Sequence, residues 1–354
     1  MRVLLGVDQL SRPQPGGIGS YVTGLLRGLA EVGVASSITT LGPRGSRAPH
    51  PLIAHRTTPV GLTLLTKTWS RWPWGVGGEL DVLHATSMAG PFGGGPRGVR
   101  HTAALHDLLW RDAPELSTPR GVAFHEARLQ RIIRDESIRI IASSPLLPDR
   151  LRELGVAEER IVLTRLGVDE ADVAAATRDE VREVLHQRGV DGPFTLSVGT
   201  LEPRKNIPTL VEAHRRARRE VPDLGPLVLV GPTGWGDVEV GDAVALGRQS
   251  RDLLLGLFRE AAVVAYVPLS EGFGLPPVEA LHQGTAVVAS TTVPSVARNE
   301  RAVRVSPHDV DEVADGLRRA VAEGNDASLR ESRRLSVADL TWANCARDHL
   351  AAWS

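Results

Sequence analysis

Thr195–Glu220 reads TLSVGTLEPRKNIPTLVEAHRRARRE, and its parts alternate in character. Thr195–Gly199 is a short apolar run that suits a strand buried on both faces. Thr200–Asn206 holds a proline and two adjacent cations, so it reads as a loop. Ile207–Glu220 is amphipathic and rich in arginine and glutamate, the pattern of a helix against a core. Strand, loop and helix together form a βα unit, and the same alternation extends outward in both directions.

Toward the C-terminus, Leu227–Gly231, Val263–Val267 and Thr285–Ser290 read as strands, and Ser250–Glu260 and Val310–Glu323 as helices. Toward the N-terminus, strands are expected at Val3–Val7, Val82–Ala85, Thr102–Leu105, Ile138–Ala142 and Ile161–Leu163. Helices are expected at Ile18–Glu31, Val122–Arg134 and Leu146–Glu153. Such alternation implies parallel strands joined by helical crossovers. Asp169–Gly192 interrupts the pattern with charge and alanine and no strong strand. With 354 residues, and domains usually holding ~100–200, two doubly wound, Rossmann-like α/β domains facing a cleft are expected. They are placed at 1–175 and 176–338, with a terminal segment, 339–354, that carries the amphipathic Trp342–Trp353. Ligands of such sheets sit beyond the carboxyl ends of the strands.

The formal net charge of -1 lacks the basic excess of a dedicated nucleic-acid binder, so no nucleic-acid partner is expected. The single cysteine, Cys345, cannot form an internal disulfide, which fits a reducing compartment. No apolar run approaches the ~18–20 residues of a membrane span. Met1–Asp8 reads as a first buried strand and not as a secretion signal. A cytoplasmic protein is expected. The only lysines are Lys67 and Lys205, which singles out both positions, since lysine is a compact charge that arginine does not mimic.

Four places carry chemistry. Arg204 and Lys205 lie at the carboxyl end of a strand, where a loop lets both converge on one diphosphate; a solvated basic turn is the alternative. Ser270–Glu279, SEGFGLPPVE, follows another strand. Its glycines leave backbone amides free at a helix start near Pro276, where an anion or a hexose hydroxyl is held well. Glu271 in the loop and Glu279 one turn into the helix suit polyol hydroxyls, although an acid near a helix start also stabilises the helix. The loop Pro15-Gly16-Gly17-Ile18-Gly19 joins a strand to a helix and serves as a phosphate cradle or as a tight turn; its spacing is not GxGxxG. His106 ends a strand and reads as a ligand contact or as a structural histidine.

Two further stretches invite weaker readings. Asp309-Val310-Asp311 spells DxD, but it opens a helix and reads better as an N-cap; no His/Cys cluster has metal-ligand spacing, and no metal is expected. Lys67–Trp74, KTWSRWPW, joins three tryptophans to Lys67 and Arg71. It suits a lipid surface or a lipid-linked acceptor, or else a helix end packed on the first domain before a proline turn.

Taken together, the GGIG loop, HDL at His106–Leu108, GVD at Gly167–Asp169, GTLEPRKNI at Gly199–Ile207, LVGPTGWG at Leu229–Gly236 and SEGFGLPPVEAL at Ser270–Leu281 resemble glycosyltransferase family 4, the retaining enzymes of the GT-B fold. The resemblance covers nearly the whole chain. It implies that Arg204 and Lys205 bind the donor diphosphate and that Glu279 binds the nucleotide ribose. Glu271, with the amides of Gly272, Phe273, Gly274 and Leu275, would hold the sugar and its phosphate, and His106 would contact the sugar. Thr200 and Gly231 join the donor-binding set, and Gly16, Gly17 and Gly19 shape the phosphate side of the first domain. The last helix would cross back to the first domain.

Two departures stand out: Thr164–Asp169 where members often read PNGVD, and Pro294–Arg298 (PSVAR) where many read PEVAG. The implied activity is metal-free, retaining transfer of a mannose- or glucose-type hexose. The donor would be a nucleoside-diphosphate sugar, GDP-mannose by a slight preference, and the acceptor a hydroxyl of a glycan or lipid-linked precursor. No cofactor is expected, and peripheral contact at the inner membrane face is compatible. An epimerase of the same two-domain shape, a nicotinamide oxidoreductase and a non-catalytic nucleotide-sugar-binding relative are the rival readings.

Overall fold

The computed structural model describes residues 1–92, 96, 98–168 and 175–354. Asp169, the last residue of the GVD motif, lies outside the described residues. The chain divides into two compact units, Met1–Gly167 with Leu340–Ser354, and Val168–Asp339.

In unit 1 the strands are β1 Val3–Gly6, β2 Ile38–Gly42, β3 Ala54–Thr57, β4 Val82–Ala85, β5 Arg100–Leu105, β6 Ile138–Ala142 and β7 Ile161–Leu163. They form one parallel sheet in the order β3-β2-β1-β4-β5-β6-β7. Its helices are α1 Gly16–Glu31, α2 Leu62–Thr68, α3 Leu109–Asp112, α4 Pro119–Arg134 and α5 Leu147–Glu153. Unit 2 begins its regular structure with α6 Arg178–His186. Then come β8 Thr195–Val198, α7 Ile207–Glu220, β9 Leu227–Val230, β10 Val244–Gly247, α8 Arg251–Glu260, β11 Val263–Tyr266, α9 Leu275–His282, β12 Ala286–Ser290, β13 Ala302–Val305, α10 Val310–Glu323 and α11 Ala327–Leu335. Its parallel sheet runs β10-β9-β8-β11-β12-β13. The final helix, α12 Trp342–Trp353, returns to unit 1.

Both sheets reverse their strand order at one point, between β1 and β4 and between β8 and β11. These are the topological switch points where ligands of doubly wound sheets bind. The central strands β1, β4, β8, β9 and β11 are buried on both faces almost throughout, which is why they read as continuous apolar runs. The edge strands β3 and β10 are largely exposed or half-buried, and β3 (AHRT) has no such run. Neither they nor β2, β13, α2, α3, α6 and α11 were expected from the sequence.

α12 docks on α1 at very short range. A β-carbon at Gly24 would sit 2.1 Å from the Trp342 indole, and one at Gly28 only 2.0 Å from the Trp342 carbonyl. Arg165 grips Asp348 through its backbone N (3.0 Å), Nε (2.9 Å) and Nη2 (2.7 Å). Arg139 donates to the Ala352 carbonyl at 2.7 Å, and Arg100 donates to that of Trp353. These arginines satisfy carbonyls that the end of a helix leaves without partners.

Candidate functional site

The site of unit 2 is built on the loops that leave β8 and β11. After β8 the chain makes one 3-10 turn, Pro203–Lys205, and then places Asn206 in the left-handed region with φ 58°, a conformation that asparagine tolerates better than most residues. The Asn206 amide pins this loop by donating to the carbonyls of Val267 (3.1 Å) and Pro307 (2.7 Å). The Leu269 N–H donates to the Arg204 carbonyl at 2.9 Å. Arg204 and Lys205 are thereby forced against the segment that follows β11.

There the two cations meet one carboxylate. Lys205 Nζ donates to Glu271 Oε2 at 2.6 Å, Arg204 Nη1 donates to the same oxygen at 3.2 Å, and the Tyr266 hydroxyl also donates to it. Lys205 further contacts the Tyr266 oxygen at 2.5 Å. Glu271 Oε1 takes the Gly272 N–H at 3.0 Å. Arg204 reaches Glu202 Oε1 through Nε (3.1 Å) and Nη2 (2.7 Å), and the Ser270 carbonyl through Nη1 (3.0 Å). Burial alone would raise the Glu271 pKa, but the charges of Lys205 and Arg204 overcome it and hold the carboxyl far below the usual range. Burial lowers the Lys205 pKa against the opposing pull of Glu271, and burial followed by the Glu271 charge pushes the Tyr266 phenol up. Two cations thus balance Glu202 and Glu271 in a cluster of low exposure. Its cations are gathered at the switch point on one carboxylate.

The glycine-rich segment closes the site. Gly274 adopts φ 90° directly before α9, and a β-carbon there would also strike Val293 at 2.5 Å. Pro276 and Pro277 have no N–H, so the amides of Gly274 and Leu275 are the donors at this helix start. Phe273 and Gly274 are held by Ser295, whose N–H donates to the Phe273 carbonyl (2.9 Å) and whose hydroxyl donates to that of Gly274 (2.6 Å). The PSVAR departure therefore still fastens this loop. Glu279 lies in the second turn of α9, is buried, and pairs with Arg251 Nη1 at 2.6 Å.

Other expected residues stand apart from this cluster or serve the backbone. Gly231 permits a close approach, since a β-carbon would lie 2.0 Å from the Gly199 carbonyl. Thr200 packs its methyl where a Gly234 β-carbon would be, at 2.6 Å. In unit 1, Gly16 has φ 60°, and both it and Gly17 are exposed with open space around them, whereas Gly19 is buried against Pro15. α1 has no side-chain cap. His106 Nε2 donates to the Thr86 carbonyl (3.0 Å), and Nδ1 accepts from the Ser143 hydroxyl (2.9 Å). The carbonyl fixes the tautomer, and burial lowers the pKa, so this imidazole is neutral.

Asp309 accepts the amides of Asp311 and Glu312 at 3.0 Å each, the N-cap its position predicts, and Asp311 pairs with Arg216 at 2.6 Å. Among the described residues no group of three or more His, Cys, Asp or Glu side chains could hold a metal ion. No described helix is long and apolar enough to cross a membrane. In Lys67–Trp74, Trp69 is buried and its Nε1 donates to the Trp74 carbonyl (3.1 Å), while Trp74 Nε1 donates to Thr68 (3.0 Å). Trp72 alone of the three is exposed, at 57%.

Sequence reading missed Tyr266 and Arg251. Tyr266 is one of only two tyrosines and ends the strand before Glu271. Arg251 directly follows Ser250, the N-cap of α8.

Two parallel doubly wound sheets, one bearing a cationic pair and two glutamates at its switch point, define a GT-B glycosyltransferase. The family model for glycosyl transferases group 1 matches residues 180–334, and that for glycosyltransferase family 4 matches residues 15–172. The chain belongs to glycosyltransferase family 4 and is a hexosyltransferase of that family. It is 28% identical to the O-antigen chain mannosyltransferase B of Escherichia coli over 269 residues, 72% of this chain and 70% of that protein. It is 30% identical to the D-inositol 3-phosphate glycosyltransferase of Mycolicibacterium smegmatis over 237 residues, 62% of this chain but only 53% of that protein. The crystal structure of Anabaena HepE in complex with UDP and glucose superposes with a TM-score of 0.71 at 16% identity, covering 99% of both chains.

Proposed function

We propose that this enzyme transfers a hexose, with retention of configuration and without a metal ion, from a nucleoside-diphosphate sugar to a hydroxyl of a glycan or lipid-linked acceptor. The observation that carries this reading is the convergence of Arg204, Lys205 and Tyr266 on Glu271 at the switch point of unit 2. A donor diphosphate displaces Glu271 from the two cations. Freed, Glu271 accepts hydrogen bonds from sugar hydroxyls beside the amides of Gly274 and Leu275. Glu279 keeps lone pairs beyond the one used by Arg251 and takes the ribose hydroxyls. As the bond from the sugar carbon to the phosphate oxygen breaks, negative charge grows on the diphosphate, and Arg204 and Lys205 neutralise it. The acceptor oxygen bonds to the same face of the sugar, and its proton passes to the departing phosphate oxygen. Within unit 1 we assign to His106, held by Thr86 and Ser143, a part in sugar recognition.

The mannosyltransferase relative favours GDP-mannose, and the UDP and glucose bound by HepE make UDP-glucose the second donor to test. Exposed Trp72 beside Lys67 and Arg71 supports peripheral contact at the inner membrane face. A panel of nucleotide sugars tests the donor assignment by protection against heat unfolding. The true donor at 100 times its dissociation constant stabilises by ~2.7 kcal/mol, and this protection should vanish in a Lys205→Met chain. Protection by no nucleotide sugar, or undiminished protection of the variant, refutes the donor site.

The GGIG loop gives a separate expectation. Gly17 lies in a helix with no atom within 4 Å of a β-carbon. Gly17→Ala should therefore leave stability unchanged or raise it by up to ~1 kcal/mol, while lowering transfer by roughly 10-fold, or ~1.4 kcal/mol, if a ligand approaches that backbone. Urea unfolding and a transfer assay on the same preparation separate the two, and full transfer would make the loop a simple turn.

A further inference from the structure

Beneath His106 lies a hydrogen-bonded chain that the reaction described above does not use. Tyr21 on α1, His84 on β4 and His349 on α12 are all buried to 1% exposure or less. Tyr21 Oη lies 2.8 Å from His349 Nε2 and 3.1 Å from His84 Nε2. His84 Nδ1 lies 2.8 Å from the Thr102 hydroxyl, and His349 Nδ1 2.8 Å from the Cys345 carbonyl.

The proton positions follow from one fixed end. A carbonyl only accepts, so His349 Nδ1 carries its hydrogen and donates to Cys345. The His349 ring, neutral in this buried place, then accepts at Nε2, and the Tyr21 hydroxyl donates to it. That uses the only hydrogen on Tyr21 Oη, so His84 Nε2 donates to the tyrosine oxygen. His84 Nδ1 is left to accept from Thr102. Every polar atom is satisfied in a single direction, Thr102 to His84 to Tyr21 to His349 to Cys345. The chain has room for no additional proton and no missing partner.

Its middle member touches the site. The Tyr21 ring stands edge-on to His106, with centroids 4.8 Å apart and planes at 67°, a favoured aromatic geometry. His106 is tethered at its nitrogens by Thr86 and Ser143, and the ring of Tyr21 supplies the wall beside it. The hydroxyl of Tyr21 is in turn held by the last helix of the chain. We propose that Tyr21 and His349 are positioning residues for transfer, the C-terminal helix fixing the seat of His106 through the Tyr21 hydroxyl. This rests on the role of His106 given under Proposed function.

The test follows release of nucleoside diphosphate from GDP-mannose or UDP-glucose, whichever protects the enzyme, with water as acceptor. Tyr21→Phe and His349→Leu should each lower kcat by about 10-fold or more, since displacements on the ångström scale reach ~10²-fold. The donor KM should change far less than kcat, because the diphosphate and ribose contacts assigned to Arg204, Lys205 and Glu279 are not altered. His349→Gln, whose side-chain oxygen can still accept from Tyr21, should recover most of kcat. In a His106→Ala background, Tyr21→Phe should add no further loss. Folded Tyr21→Phe or His349→Leu chains with parental kcat overturn the inference. So do losses that add to that of His106→Ala, or a rise in KM with kcat unchanged, which would mark mere loosening of the fold. Full kcat in His106→Ala alone would remove the role of His106 itself and this inference with it, while leaving the donor site of unit 2 untouched. Should Tyr21→Phe not fold, the comparison of His349→Leu with His349→Gln decides alone.

Discussion

Lys205→Met is expected to lower kcat/KM by about 10²–10³-fold, the usual cost of removing one preorganised donor from a developing anion, ~2.7–4 kcal/mol. The geometry makes the loss specific. Lys205 is one of two lysines in the chain, and its ammonium lies 2.6 Å from Glu271, the carboxylate that a diphosphate displaces in the proposed donor complex. Methionine keeps the length of the stem and its packing against Tyr266 but brings no charge. Stability should fall as well, because removing one partner leaves a buried carboxylate undercompensated. That penalty reaches ~3–5 kcal/mol where nothing else pairs, and here it is reduced by Arg204 and Tyr266. The double variant Lys205→Met/Glu271→Gln removes both charges and should regain most of the lost stability without regaining any transfer. Alanine at either position confounds the two effects, so these near-isosteric changes are the cleaner test. A Lys205→Met enzyme with parental kcat/KM would end the assignment of the diphosphate site. A double variant as unstable as the single one would end the account of the buried pair.

Much of this site was legible because rare or conformationally special residues mark it. Two lysines among 41 basic residues mark Lys205, and the glycines between Glu271 and Glu279 mark a loop that leaves backbone amides free at a helix start. The two-domain architecture was legible from central strands buried on both faces. The edge strand β3 (AHRT) was not, since a strand left largely exposed carries no apolar run, whereas β10 (VALG) does carry a short one among the glycines of its surroundings. α6 was missed for a different reason. Its signal is a capping box, with the Thr177 hydroxyl accepting the Glu180 amide and the Glu180 carboxylate accepting that of Thr177. This pattern stands in the sequence as TRDE, but it lies in a stretch dominated by charge and without a strand. The partners Tyr266 and Arg251 were hidden because pairing across loops is set by the strand order, which no local spacing encodes. The rarity argument that worked for lysine would have worked again: both tyrosines of the chain, Tyr21 and Tyr266, stand in the hydrogen-bonded clusters described here.

Gly28→Val should be the most damaging single change outside the donor site. Glycine inside a helix is ordinarily a weakness, costing up to ~1 kcal/mol relative to alanine, and α1 accepts it at Gly24 and Gly28, one turn apart. Both face α12. At Gly24 an added carbon meets the Trp342 indole, a side chain with some freedom to move. At Gly28 it meets the carbonyl oxygen of Trp342 at 2.0 Å and its carbon at 2.5 Å, and backbone in the first turn of a helix has nowhere to go. The two helices must separate, which loosens the buried Trp342 and Trp353 and the bond from Tyr21 to His349. Overpacking of this kind costs ~1–3 kcal/mol where side chains can adjust and more where they cannot, so a loss of about 3 kcal/mol or more is expected. That is a large part of the ~5–15 kcal/mol that stabilises a typical protein. Gly28→Ala should already destabilise, in spite of its better helix propensity, whereas Gly17→Ala on the same helix should not. Urea midpoints for the three variants check this order, and a Gly28→Ala chain as stable as the parent would show that α12 does not depend on that close approach.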